Sequence, residues 1–256
     1  MKTRILILIS LLFTLWACSS SINTVDFGPE ESLQYAISLF EDEDYQDAAT
    51  EFEALLLQYP GSVIVDDAQY YLGMCKFERG EYIISAYEFS KLIKNMPASD
   101  FVSKAQFMLA ETYYELSPNY NLDQKYTAKA IKEYQAFIDF FPLNEKVAEA
   151  EQKIRELNNK LARKDYDIAV IYEKMDYYTA ALKYFDGVIE TYHDTKYAPQ
   201  AMYRKIQLLM DREREDEALT EMKKFIKLYP DDDNFDTVEE LKNSLESKLR
   251  GSFSSN

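Results

Sequence analysis

Chemistry could sit at four places in this chain of 256 residues: Cys18, Cys75, His193 and the acidic run at 230–240. A thiolate becomes a nucleophile or a metal ligand when a histidine or a second thiolate stands beside it. His193 is the sole histidine and there are only two cysteines, so neither a Ser/His/Asp nor a Cys/His set can be assembled. The run "PDDDNFDTVEE" has the carboxylates of a calcium loop but lacks its glycine and its alternating ligands. Its acids instead suit the N-terminus of a final helix, expected over residues of about 235–249, through the macrodipole. There is no glycine-rich phosphate loop and no metal-spaced cysteine pair. The expectation is a chain without enzymatic activity, cofactor or metal.

Cys18 has a different use. Lys2 and Arg4 precede an almost wholly apolar run, residues 5–16, and Ala17 is small where a peptidase would cut. That is the pattern of a removable export signal, too short for a membrane span. Leu15, Trp16, Ala17 and Cys18 resemble the bacterial lipobox, with Trp16 bulkier than the pattern usually has. The resemblance implies that residues 1–17 are a lipoprotein signal peptide, removed, and that Cys18 carries fatty chains such as palmitate. Residues 18–29, with Ser19, Ser20 and Ser21, then form a tether. Each buried methylene contributes about 0.8 kcal/mol, and two or more chains anchor stably. By the sorting rule of Gram-negative bacteria, Ser19 in place of aspartate favours the outer membrane, with the body facing the periplasm.

Acidic residues number 45 against 29 basic ones, a formal charge of −16, and loss of residues 1–17 removes only basic groups. Such a body repels nucleic acid and anionic lipid alike, so a lipid and not charge must hold it to a bilayer. With Cys18 acylated, Cys75 has no partner for a disulfide and is expected as a small buried core residue. Six glycines and seven prolines predict long helices and short turns.

Those few prolines mark a repeat. "LLLQYP" ends at Pro60, "KLIKNMP" at Pro97, "FIDFFP" at Pro142 and "FIKLYP" at Pro230, and "VIETYH" ends at His193 in the same shape. Twelve residues earlier stand Ala48, Ser85, Ala130, Ala181 and Ala218; eight earlier, Phe52, Phe89, Tyr134, Phe185 and Met222; four earlier, Leu56, Ile93, Ile138, Ile189 and Ile226. Eight residues after the prolines up to 142, and after His193, lie Ala68, Ala105, Ala150 and Ala201. Small, large and branched residues at helical spacing describe helices packed closely on neighbours.

The pattern resembles the tetratricopeptide repeat, a helix–turn–helix unit of about 34 residues. The small position of its first helix falls on Ala36, Gly73, Ala110 and Ala169, with Ile206 departing in the fifth repeat. The fold class expected is all-α, a tetratricopeptide-repeat superhelix of about five repeats in two groups. The front group, repeats 1–3, spans 30–143, and the rear group, a long helix plus repeats 4–5, spans 144–250, with 251–256 as a tail. An inserted loop is expected at 117–124. Residues 143–175 lack proline and glycine and read as one helix of roughly 45 Å.

The repeat resemblance places Leu33, Tyr70 and Phe107, and then Phe40, Phe77 and Tyr114, on the concave wall. Glu41, Glu78 and Glu115 follow the second set, and Tyr166 and Tyr203 extend the first to the rear. Tyr70, Phe77, Phe107, Tyr114 and Phe40, edged by Glu78 and Glu115, are expected to line a groove for an apolar or aromatic peptide carrying basic residues.

Residues 157–209, and within them the pattern "KLA…Y.IA..Y…..Y.AA", resemble the BamD family of outer-membrane β-barrel assembly lipoproteins. The repeat count, the long helix and the lipobox agree with it. The resemblance implies a non-enzymatic subunit whose front repeats receive unfolded outer-membrane proteins by their aromatic C-terminal signals. It also implies rear repeats that dock on periplasmic domains of the barrel-forming BamA subunit. Family members commonly carry an arginine before a turn glycine after the first helix of repeat four; here Met175 and Asp176 stand there. The implied docking region is therefore carried over loosely, as Tyr172, Lys174 and Tyr178. Two other readings share the architecture: a periplasmic repeat scaffold for envelope maintenance or division, and a sugar-binding lipoprotein.

Overall fold

The computed structural model describes residues 27–253, so the signal segment, Cys18 and most of the expected tether lie outside the described residues. Regular structure among the described residues is helical throughout. Packing divides the chain into two compact units, one through Arg79 and one from Gly80 onward.

The first unit holds α1 (Pro29–Glu41), α2 (Tyr45–Gln58) and α3 (Val65–Glu78). Helix α1 starts with Pro29 at its first position, where the missing N–H costs nothing. The Glu31 carboxylate accepts from the Gly28 N–H at 3.4 Å. Ala36, Ala48, Ala68 and Cys75 are fully buried together with Phe52, and Leu33, Leu55 and Leu72 close around them. The three alanines and the cysteine stand where helices meet, because no larger side chain fits between closely packed axes. Burial pushes the Cys75 thiol up to about 12, which leaves it protonated and inert.

The second unit runs through α4 (Tyr82–Asn95), α5 (Val102–Glu115), α6 (Lys125–Phe140), α7 (Val147–Lys174), α8 (Tyr178–Thr191), α9 (Tyr197–Asp211), α10 (Glu215–Leu228) and α11 (Phe235–Phe253). Consecutive helices pack on one another, and α7 also meets α9. The register read from the prolines becomes the core. Ser85, Ala130, Ala181 and Ala218 are fully buried, and so are Phe89, Tyr134, Phe185 and Met222 one helical turn further on the same face. The buried hydroxyls have partners: Thr112 donates to the Met108 carbonyl at 2.6 Å, and Ser85 lies 3.4 Å from Thr112. Tyr134 donates to the Glu111 carboxylate. The 28 residues of α7 extend about 42 Å. Ala150 and Leu157 in its first half join the core of α5 and α6, while Ala162 and Ala169 in its second half join that of α8 and α9.

Two turn types connect the helices. Between repeats, the backbone N–H of Ser62, Ser99, Asn144, Thr195 and Asp232 donates to the carbonyl three residues back, at 3.0–3.3 Å. Pro60, Pro97, Pro142 and Pro230 hold the second place of these turns, and His193 holds it in the fourth. Asp232 accepts from the Asn234 backbone at 2.9 Å, so the 230–240 acids build a turn ahead of α11. Within repeats one, four and five, Glu43, Asp176 and Glu213 adopt positive φ of 65°, 63° and 58°, as Gly80 does at 71°. The next N–H in each of the first three reaches back five residues, to Leu39, Tyr172 and Leu209 at 2.9 Å, closing a Schellman motif. The third repeat replaces this turn with the insert at residues 117–124.

Charged groups also cross the packed layers. Lys205 on α9 reaches Asp186 on α8 at 2.5 Å and Glu221 on α10 at 3.2 Å, and Glu221 is 7% exposed. Burial opposes the Lys205 charge, but its bonds to Asp186 and Glu221 outweigh that and raise its pKa above 10.5.

A left-handed residue other than glycine costs about 1–2 kcal/mol, part of which glycine's greater chain entropy offsets. Glu43→Gly and Glu213→Gly are each expected to raise stability by about 0.5–1 kcal/mol in urea denaturation, and Gly80→Ala to lower it by a similar amount. Lys205→Met leaves Asp186, well exposed, without its cation and Glu221 with Lys224 alone, at 2.8 Å, and is expected to cost about 1–2 kcal/mol at pH 7. Since folding raises the Lys205 pKa, its contribution is complete below pH 10.5 and fades only as pH climbs through the raised value. Stability measured against pH therefore falls more steeply in wild type than in Lys205→Met above that point.

Candidate functional site

The residues expected to line a peptide groove divide between the two units. In the first, Phe40 is half-buried at the end of α1, edge-on to Tyr45 at 5.3 Å and to Tyr71 at 5.4 Å. Tyr71 also stacks on Phe52 at 5.6 Å, 12° from parallel, and takes Tyr70 against its edge. Tyr71 is thus the hub of a four-ring cluster and was not singled out by its spacing. It neighbours Tyr70 in sequence, and the repeat register selected the other of the pair. Tyr70 is half-buried, and burial, with Tyr71 adding to it, pushes its hydroxyl up to about 12. Phe77 is half-buried, whereas Glu41 and Glu78 are exposed.

In the second unit Phe107 departs from expectation. Its ring is 7% exposed, edge-on to Tyr134 at 5.9 Å and to Phe137 at 5.3 Å. Helix α6 brings both rings onto it, so Phe107 is a core residue and not a groove wall. Leu33 is buried in the same way in the first unit, at 5%. Tyr114 is half-buried and turns toward α7: its hydroxyl donates to Glu156 at 2.7 Å, and the Lys153 ammonium lies 3.7 Å from its ring centroid. Burial, then the bond to Glu156, pushes this hydroxyl up to about 12. Glu115 is exposed beside it. Tyr166 and Tyr203 are half-buried, and Tyr166 packs against Phe185 and Tyr197 at 6.0 and 5.8 Å.

Around the α7–α8 turn two of the three expected docking residues, Tyr172 and Tyr178, share one cleft. Tyr172 stacks on Tyr184 at 5.5 Å and meets the edge of Tyr177. The Tyr178 hydroxyl donates to the Asp176 carboxylate. With Thr179 and Ala180 these residues line a cleft of about 540 Å³. Ile171, Met175 and Tyr177 are each more than half exposed beside it, and Lys174 is exposed without lining it. One neighbour of the cleft, which does not line it, was not foreseen. The Arg212 guanidinium, from the α9–α10 turn, sits 3.1 Å from the Tyr178 ring centroid. Arg212 follows the last residue of α9 as Met175 follows the last of α7, so the fifth repeat delivers a guanidinium to the fourth repeat's turn. That crossing joins residues far apart in sequence, and no local pattern signals it.

These surfaces offer aromatic faces, a guanidinium and scattered carboxylates. His193 is exposed on its turn, and no cluster of three or more metal-ligating side chains occurs among the described residues. No described helix is long and apolar enough to cross a membrane.

The sequence pattern of the YfiO family, described as outer membrane lipoprotein, matches residues 28–216. The outer membrane protein assembly factor BamD of Rickettsia prowazekii is 27% identical over 182 residues, 71% of this chain and 72% of that one. The factor of the same name from Caulobacter vibrioides is 30% identical over 95 residues, 37% of this chain and 31% of that one. Among solved structures, the TPR2AB domain of yeast Sti1 in its pHSP90 complex aligns over 88% of this chain and 86% of its own, at 14% identity and a TM-score of 0.44. With its match running from the first helix into the fifth repeat, the chain belongs to the YfiO family of outer membrane lipoproteins.

Proposed function

We propose that this chain is a non-enzymatic assembly factor of the outer membrane, a lipoprotein subunit of the machinery that inserts β-barrel proteins. Family membership and the two relatives named for outer membrane protein assembly support the role. Fatty chains on Cys18 hold the body to the membrane from the periplasmic side, in keeping with the absence of an apolar spanning helix among the described residues. Unfolded outer-membrane proteins bind to half-buried aromatics: Phe40, Tyr70 and Phe77 with Glu78 in the first unit, Tyr114 with Glu115 in the second. Half-buried rings offer a face to a client's aromatic side chain, and the exposed carboxylates favour its basic residues.

The observation that carries the docking half is the cleft at the α7–α8 turn. Tyr172, Tyr177 and Tyr178 supply rigid apolar area, and Arg212 supplies a charge with no carboxylate within ion-pair reach among the described residues. Aromatic rings beside an arginine are the composition of an interface hot spot. The partner is the barrel-forming subunit, BamA-like, through its periplasmic domains. In this reading Arg212 takes the docking role that the family resemblance gives to an arginine at position 175.

The test is co-purification from detergent-solubilised membranes with the lipidated chain as bait. Recovery of a large barrel protein with periplasmic domains is expected. Tyr178→Ala and Arg212→Ala should each weaken its binding at least tenfold in titration, with melting temperatures within about 3 °C of wild type. Recovery of division or peptidoglycan proteins in its place would favour an envelope scaffold and overturn the assembly role. Full binding by both variants would overturn the docking cleft alone.

A further inference from the structure

A second cleft, of about 620 Å³, lies between the 117–124 insert, the middle of α7 and the start of α9. The insert is fastened to α7 from three sides. Lys160 donates to the Ser117 hydroxyl at 2.8 Å, Lys164 donates to the Leu122 carbonyl at 2.7 Å, and the Arg163 guanidinium lies 3.9 Å from the Tyr120 ring centroid. Gln124 braces the loop from within, donating to the Asn119 and Leu122 carbonyls at 2.8 and 3.0 Å. The wall is thus a built one, and it sets Lys160, Arg163 and Lys196 around one hollow with the Asn159 amide.

Acids outnumber bases 45 to 29 in this chain, so a cation without a carboxylate is not short of candidates. Yet Lys160 and Lys196 form no ion pair among the described residues, and Arg163 meets only Asp167, at 3.9 Å. Lys160 is half-buried with a neutral hydroxyl as its observed partner, and an ammonium carries three donors. Burial lowers its pKa, with Glu156 only partly offsetting this. A partly desolvated cation held in no ion pair gains most from an anion that arrives with its ligand.

We infer that this cleft binds an acidic segment of a partner protein, whose carboxylates are received by Lys160, Arg163 and Lys196. Tyr120 and Tyr197 flank the hollow and offer their rings to the segment's apolar parts. A peptide fits better than a bilayer. Glu156 lines the same hollow, and Asp123 and Asp194 are exposed on the neighbouring turns, so a flat anionic surface meets repulsion where a narrow chain passes. The inference stands apart from the proposed docking cleft, which lies at the far end of α7.

The test uses the full chain and a fluorescein-labelled peptide of alternating glutamate and glycine, read by anisotropy at low and physiological salt. Saturable, salt-sensitive binding is expected, with none to the glutamine counterpart. Arg163→Gln combined with Lys196→Gln should weaken it at least tenfold while the melting temperature holds. Carbodiimide coupling of peptide to wild type, mapped by mass spectrometry, should join the peptide to Lys160 or Lys196, which keeps the test decisive if the double variant fails to fold. Absence of binding, undiminished binding by the folded variant, or coupling only elsewhere overturns the inference. So does binding of phosphatidylglycerol vesicles or inorganic phosphate without the peptide.

Discussion

Helix axes can approach to about 8–10 Å only where side chains at the crossing are small, and the helix pairs within each unit depend on such crossings. Ala48, Ala130, Ala181 and Ala218 on the second helices, with Ala36, Ala110 and Ala169 on the first, are buried within their own units. Large side chains flank them: Phe52, Phe89, Tyr134, Phe185 and Met222 fill the space beside each contact and are also fully buried. Each repeat therefore has its apolar need met by a few residues at fixed places. The rest of each helix surface is released from core duty.

What that release leaves outward is the material for binding. Turns within repeats carry Tyr177, Tyr178 and Arg212, and the insert of the third repeat carries Tyr120. Tyr178 packs by one side against the core of the fourth repeat, and each of these residues stands where two turns or a turn and a helix converge. Acidic residues take the left-handed turn positions at Glu43, Asp176 and Glu213, a small local strain that the packed hairpin overrides. Inside the layers the few charges are tied down, as Lys205 is between Asp186 and Glu221, so Lys160, whose partner is the Ser117 hydroxyl, stands out.

The core was legible because repetition multiplies a weak signal. One alanine before one proline says little, but the same offset recurring through the chain excludes most other folds, and every alanine and phenylalanine in that register is buried. The surfaces were less legible, since exposure depends on what a neighbouring helix brings. Phe107 and Tyr114 look alike in sequence. Tyr134 and Phe137 bury the first, while the second keeps a polar edge and bonds to Glu156. Tyr71 was hidden by its neighbour Tyr70. Arg212 and Lys160 act across 34 and 43 residues of chain, on Tyr178 and Ser117, distances over which no helical period carries information. The N-terminal signal, Cys18 and its tether rest on the lipobox resemblance and on the family.

The dependence on small crossings is tested most directly within one helix. Ala130 on α6 is fully buried at a crossing, and Ala128, two residues before it, is exposed. Both can be replaced by leucine, a good helix former, with unfolding followed in urea. Overpacking at Ala130→Leu is predicted to cost about 1–3 kcal/mol, and Ala128→Leu is predicted to stay within about 0.5 kcal/mol of wild type. Equal tolerance at both positions would mean that the helices are not held at these small residues, and the account would fail.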